Sequence, residues 1–163
     1  MDAPRSSAMT LTMPSDREIV LTRVFDAPRE LVFEAWTKPA HLTRWWGPRR
    51  STLPVCEVDL RPGGAYRFVN RAADGTEHPF KGVYREVVPP ERLVFTQIYD
   101  VEGWSDRECV VTLTLAERDG KTTMTNTVQF DSVEDRDAML DSGMEAGAAE
   151  SYHRLAEHLR SMA

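Results

Sequence analysis

The residues from Met144 to Met162 carry apolar side chains at Met144, Ala148, Tyr152, Leu155, Leu159 and Met162, with successive gaps of 4, 4, 3, 4 and 3. That spacing follows the 3.6-residue turn of an α-helix, so one long helix here must bury a continuous stripe against some other surface. The opposite side carries Glu145, Glu150, His153, Arg154 and Glu157 and meets water. The fold is therefore set by whatever covers that stripe.

The middle of the chain supplies the surface. Six runs read as strands: Thr52–Asp59, Ala65–Asn70, Glu77–Val88, Arg92–Asp100, Arg107–Glu117 and Lys121–Phe130. Between them lie Pro62-Gly63-Gly64, Asp74-Gly75, Pro89-Pro90, Gly103 and Asp119-Gly120, which are turn signals. Such short connections make hairpins, hence an antiparallel meander. Ser132, with Asp135 three residues on, opens a brief turn of helix before the long one.

Upstream, Ile19–Phe25 reads as a strand that ends at Asp26-Ala27-Pro28, where Asp can cap a helix and Pro fits its first turn. Two short helices follow, about Pro28–Trp36 and Pro39–Trp46, the second stopped by Gly47-Pro48. The order is strand, two short helices, six strands and a long helix. This is an α+β arrangement in which the terminal helix covers a six- to seven-stranded antiparallel sheet. Residues 1–16 read as a flexible N-terminal extension and residues 17–163 as a single domain.

Composition excludes several classes. Hydrophobic residues make up 41% and charged residues 28% of the 163, which is ordinary globular usage. The formal net charge is -6 and the densest basic cluster is Arg44 with Arg49 and Arg50, so no nucleic-acid partner is expected. No apolar run approaches the ~18 residues of a membrane span. Cys56 and Cys109 stand apart from each other and from histidine, which points to a reducing, cytoplasmic setting with no disulfide and no metal. No cofactor motif is present, and a homodimer is left open.

Several strings recur in a family-like order: Phe25-Asp-Ala-Pro28, Ala35-Trp-Thr37, Trp45-Trp-Gly-Pro48, Asp59-Leu-Arg-Pro-Gly-Gly64, Gly82-Val-Tyr84, Pro90-Glu-Arg-Leu93, Gly143-Met-Glu-Ala-Gly147 and Glu150-Ser-Tyr152. From about Glu18 to Leu159 the chain resembles the activator of heat-shock protein 90 ATPase-like family, within the START-like, or SRPBCC, superfamily. The resemblance implies a helix-grip (Bet v-like) fold, with a bent antiparallel sheet wrapped around the C-terminal helix. It also implies a cavity between the two. The family's namesake co-chaperone has a further N-terminal domain, which this sequence is expected to lack.

Strand alternation selects the residues that face the helix. These are Tyr66, Phe68 and Asn70; His78, Phe80, Gly82, Tyr84 and Glu86; Leu93, Phe95, Gln97 and Tyr99; Cys109, Val111, Leu113 and Leu115; and Met124, Asn126, Val128 and Phe130. Aromatic walls with a few polar groups are how small-molecule pockets are built, although each ring can also be read as core packing. Ligand contacts are expected from Trp45, Trp46, Tyr66, Phe68, His78, Phe80, Tyr84, Phe95, Trp104, Val111, Met124, Asn126, Met144, Ala148 and Tyr152. Adjacent Trp45 and Trp46 cannot share a helix face, so one packs inward while the other closes the mouth. Trp104, in a loop, reads as a lid. Arg23 shares a parity with Ile19, Leu21 and Phe25, and an inward arginine calls for a carboxylate such as Glu86.

Three functions fit. The first is binding of a small hydrophobic or aromatic ligand, lipid-like or polyketide-like, without catalysis. The second, which the superfamily resemblance implies, is an enzyme of the polyketide cyclase or hydrolase type, for which His78, Glu86 and Tyr84 are the acid–base groups. The third, carried by the family resemblance alone, is a chaperone-associated interaction module. No nucleophile elbow, HExxH, P-loop or dinucleotide motif is present, and His41, His78, His153 and His158 are scattered, the last two expected on the exposed face of the terminal helix.

Overall fold

A computed structural model describes residues 9–162. Eight strands form one antiparallel sheet: β1 (Thr10–Thr12), β2 (Glu18–Phe25), β3 (Thr52–Val58), β4 (Ala65–Arg71), β5 (Glu77–Val88), β6 (Arg92–Tyr99), β7 (Cys109–Arg118) and β8 (Lys121–Phe130). Their order across the sheet is β1-β2-β8-β7-β6-β5-β4-β3. Helices α1 (Arg29–Thr37) and α2 (Pro39–Trp45) carry the chain from β2 to the far edge at β3, and α3 (Val133–Asp141) and α4 (Met144–Met162) close it.

The sheet has one strand more than the sequence reading allows. Thr10–Thr12, placed there in a flexible extension, pairs with Val20–Thr22 and lays the partly buried Leu11 against the core. Three residues with two threonines are too short to show a strand period, so the pairing partner, not the local sequence, makes this edge. The turn read after Ser132 is also longer, a nine-residue helix, though its cap is as expected: the Ser132 hydroxyl accepts from the Asp135 N–H at 3.0 Å. Asp26 does not cap α1; Pro28 holds that position without a side-chain cap.

The stripe on α4 does what its spacing demands. Tyr152, Leu155 and Leu159 are buried beneath the sheet, while Met144, Ala148 and Met162 pack at its two ends. Each large side chain so buried contributes about 1.5–3 kcal/mol. Ile19, Leu21, Met124, Leu113 and Leu93 form the facing layer. Strand β5 lies so close to its neighbours at Gly82 that an added Cβ would collide with the Thr96 carbonyl and the Tyr66 ring. The missing side chain lets the Tyr66 hydroxyl donate to the Thr96 carbonyl at 2.7 Å.

A polar latch orients the helix. Gly47, with φ of +113°, turns the chain after α2, and a side chain there would strike Asn70 and Ser51. Its N–H donates to the Ser151 hydroxyl at 3.0 Å, and Arg154 donates to the carbonyls of Gly47 and Pro48 at 3.0 Å and of Arg44 at 3.2 Å. Lower on α4, His158 is half-buried and its Nε2 lies 2.9 Å from His41 Nδ1, which corrects its expected place on the exposed face. The helix rotates enough toward α2 for the ring to reach a partner, whereas His153 does face water beside Glu157.

Two outcomes follow from this packing. Gly82→Ala should lower unfolding stability by about 2 kcal/mol or more, because the new methyl meets backbone that cannot yield cheaply; denaturant titration measures it. Burial first, then His41 and Arg44, hold the His158 imidazole below its usual range. The unfolded chain therefore binds that proton more readily, so the stability contribution is present above about pH 6.5 and is lost as pH falls. Thermal melts at pH 7.5 and 5.5 should show a smaller pH-dependent loss for His158→Asn than for wild type.

Candidate functional site

Side chains on the concave face of the sheet build an aromatic cluster under and beside α4. Trp45 is 0% exposed, donates its ring N–H to the Ala35 carbonyl at 3.0 Å, and meets Trp36 edge-on with ring centroids 4.9 Å apart. It anchors the helix pair. Trp46 points the other way and lies half-buried, its ring centroid 5.1 Å from both Phe68 and Phe80. The two adjacent tryptophans thus divide as their angular separation requires.

From Trp46 a file of rings runs to the β6–β7 loop. Phe80 stacks on Tyr99 at 5.1 Å, and Tyr99 meets Trp104 at 6.0 Å. Phe80, Tyr99 and Trp104 are half-buried, as are His78 on β5 and Met144 and Ala148 on α4. Side chains at this end are thus only partly covered. Arg107 sits over the Trp104 ring at 5.0 Å, a cation–π contact that holds the loop tryptophan inward. Tyr99, Trp104, Arg107, Phe130 and Met139 enclose a cleft of about 10 Å³, room for roughly one water. Trp104 forms one wall of this cleft, which holds nothing larger than a water.

Deeper in, the expected residues are core. Tyr66, Phe68, Tyr84 and Phe95 are buried and lie ring against ring at 5.0–6.1 Å, with Val111 and Met124 in the same layer. Trp36 donates its indole N–H to the Met124 sulfur at 3.3 Å. Asn126 and Tyr152 form the polar point beneath α4: the Asn126 amide donates to the Tyr152 hydroxyl at 2.8 Å, and its Oδ1 is buried without a partner. An unpaired amide oxygen inside an aromatic core is a place where a ligand hydroxyl or amide would find an acceptor. Asn70 instead spends its amide on Ser51 and on the carbonyls of Trp46 and Thr52, holding the latch.

The acid–base set does not assemble. The register of β5 against β6 shifts between Tyr84 and Glu86, a bulge that turns Val87 toward the core and Glu86 to the outer surface. Glu86 there accepts from Arg92 at 3.0 Å, so it pairs with neither His78 nor Arg23. His78 has another partner: its Nδ1 lies 2.7 Å from the Tyr99 hydroxyl. Burial pushes the Tyr99 phenol above its usual range, so it keeps its proton. Alternation placed Tyr99 inward but gave no reason to set it beside His78. Met139 lies in no run whose period assigns it a face, and Arg107, which opens the run read as the strand Arg107–Glu117, lies instead in the loop before β7, which starts at Cys109.

A broader groove of about 440 Å³ lies where β4, β5 and β6 bend at Gly82 and Val83. It is open, and of the expected contacts only Tyr66 borders it.

Comparison with known proteins places this geometry. A crystal structure of a Rhodobacter sphaeroides protein superposes with a TM-score of 0.85 at 27% identity, covering 95% of this chain and 99% of that one. A Chromobacterium violaceum protein superposes with a TM-score of 0.79 at 32% identity, covering 90% and 98%. A solution structure from Arthrobacter aurescens shares the fold with a TM-score of 0.83 at 23% identity, covering 93% and 91%. No curated protein matches the chain. The family model described as activator of Hsp90 ATPase homolog 1-like protein matches residues 26–160, so with its eight-stranded sheet gripping α4 the chain belongs to that family.

Proposed function

We propose that the protein binds a small hydrophobic or aromatic molecule, lipid-like or polyketide-like, at the Trp46–Trp104 end of the grip, without catalysing a reaction on it. The observation that carries this reading is the file of half-buried rings, Trp46, Phe80, Tyr99 and Trp104, held in contact with centroids 5.1–6.0 Å apart. Rings held in contact yet partly wet gain apolar contact when a ligand slides among them. Trp104 acts as the gate and Met139 and Met144, unbranched and adaptable, line the entry. His78 with Tyr99, and the free Asn126 oxygen further in, orient polar groups of the ligand.

A second reading keeps the same mouth and adds chemistry. His78 Nδ1 at 2.7 Å from the Tyr99 hydroxyl is an acid–base pair in hydrogen-bond contact, suited to proton transfer in a cyclase or hydrolase. A chaperone-associated role rests on the family's name alone.

Titration of tryptophan fluorescence with fatty acids and polycyclic aromatic compounds tests the proposal. Saturable binding should weaken about tenfold in Trp104→Ala while the unfolding midpoint stays within about 2 °C, since the side chain gates and does not fill the core. No saturable change with any hydrophobic compound, or equal affinity in the variant, contradicts it. If a bound compound is turned over and His78→Ala abolishes product, the catalytic reading replaces the first.

A further inference from the structure

Strand β2 carries a cation into the core. Arg23 lies on the same face as Ile19, Leu21 and Phe25 and is only 5% exposed. Its guanidinium carbon sits 5.0 Å from the Phe25 ring centroid, and its Nε is sealed from solvent without a hydrogen-bond partner. Among the described residues the charged group that bears on it is Arg160, not a carboxylate; burial first, then that second cation, push its pKa down. A guanidinium N–H sealed without an acceptor costs stability and is kept where something else offsets it.

A cavity of about 150 Å³ opens beside it, between β2, the start of β8 and the last turns of α4. Arg23, Lys121 and Arg160 border this space with one carboxylate, Asp26, which leaves two positive charges in excess; Phe25 and Leu159 provide apolar wall. A cavity of this size admits a body about as large as benzene.

We propose that Arg23 and Arg160 form a binding site for a small oxyanion on a compact apolar body, an aromatic carboxylate or phosphate ester. Each planar guanidinium presents parallel N–H donors that match two oxygens of such a group, and the ring lies against Phe25 and Leu159. The carbonyl end of α4 adds partial negative charge nearby, so recognition depends on the arginines and not on the helix. The site stands at the opposite end of α4 from Met144 and the aromatic mouth, and does not depend on what that mouth binds.

Isothermal titration of the full chain with benzoate, phenyl phosphate and the uncharged benzyl alcohol, together with amide NMR, tests it. At least one anion should bind saturably, at least tenfold more tightly than benzyl alcohol, with shifts at Ala156 and Leu159; the tighter of the two tells carboxylate from phosphate. Arg160→Gln, an exposed change, should weaken the anion at least fivefold and leave benzyl alcohol unaffected. Arg23→Met should abolish anion binding with Tm unchanged or raised, as expected where the buried charge serves a ligand. No anion binding, equal affinity for benzyl alcohol, indifference to Arg160→Gln, or shifts confined to Trp46 and Trp104 overturns the proposal. A fall in Tm for Arg23→Met also overturns it, since Arg23 would then serve the fold.

Discussion

Burial of the α4 stripe against the concave sheet is the constraint on which the rest of the structure depends. An antiparallel sheet with one apolar face must be covered, and here a single 19-residue helix does most of the covering. A flat sheet would touch so narrow a stripe along one line; bending the sheet brings β2, β8, β7 and β6 around Tyr152, Leu155 and Leu159. Gly82 gives up a side chain where strand and ring approach. The Gly47 turn then fixes how the helix lies, because Ser151 and Arg154 satisfy backbone groups that α2 leaves unpaired at its end.

One helix cannot cover eight strands from end to end, and the residues with chemical potential lie where its coverage thins. At its N-terminal end the half-buried file from Trp46 to Trp104 replaces the close packing seen around Tyr66 and Tyr84. At its C-terminal end the buried Arg23 faces Arg160 across open space. The middle, held by Leu155 and Met124, is ordinary core. Close packing and half-buried side chains are thus separated along one helix axis.

Much of this architecture was legible in the sequence, for identifiable reasons. The 3.6-residue period of Met144–Met162 and the turn signals between strands are local, and helix and hairpins followed them. Alternation placed Tyr66, Phe68, Cys109, Leu113, Met124 and Asn126 correctly, because those strands run without a bulge. It failed at Glu86, where the bulge after Tyr84 inverts the parity and sends the carboxylate to Arg92. Arg23 was read as inward, correctly, but the partner inferred for it was wrong for the same reason. Thr10–Thr12, His158 beside His41, and His78 beside Tyr99 depend on contacts distant in sequence, which no local pattern encodes.

Entry of a hydrophobic ligand at the aromatic end of the grip is tested most directly by NMR of methionine methyl groups during titration with a bound hydrophobic compound. Met139 lines the cleft, Met144 packs nearby, and Met124 lies beneath α4 against Trp36. The account predicts large saturable shifts for Met139 and Met144, a smaller one for Met124, and none for the exposed Met13. Saturable binding that leaves Met139 and Met144 unmoved would contradict it.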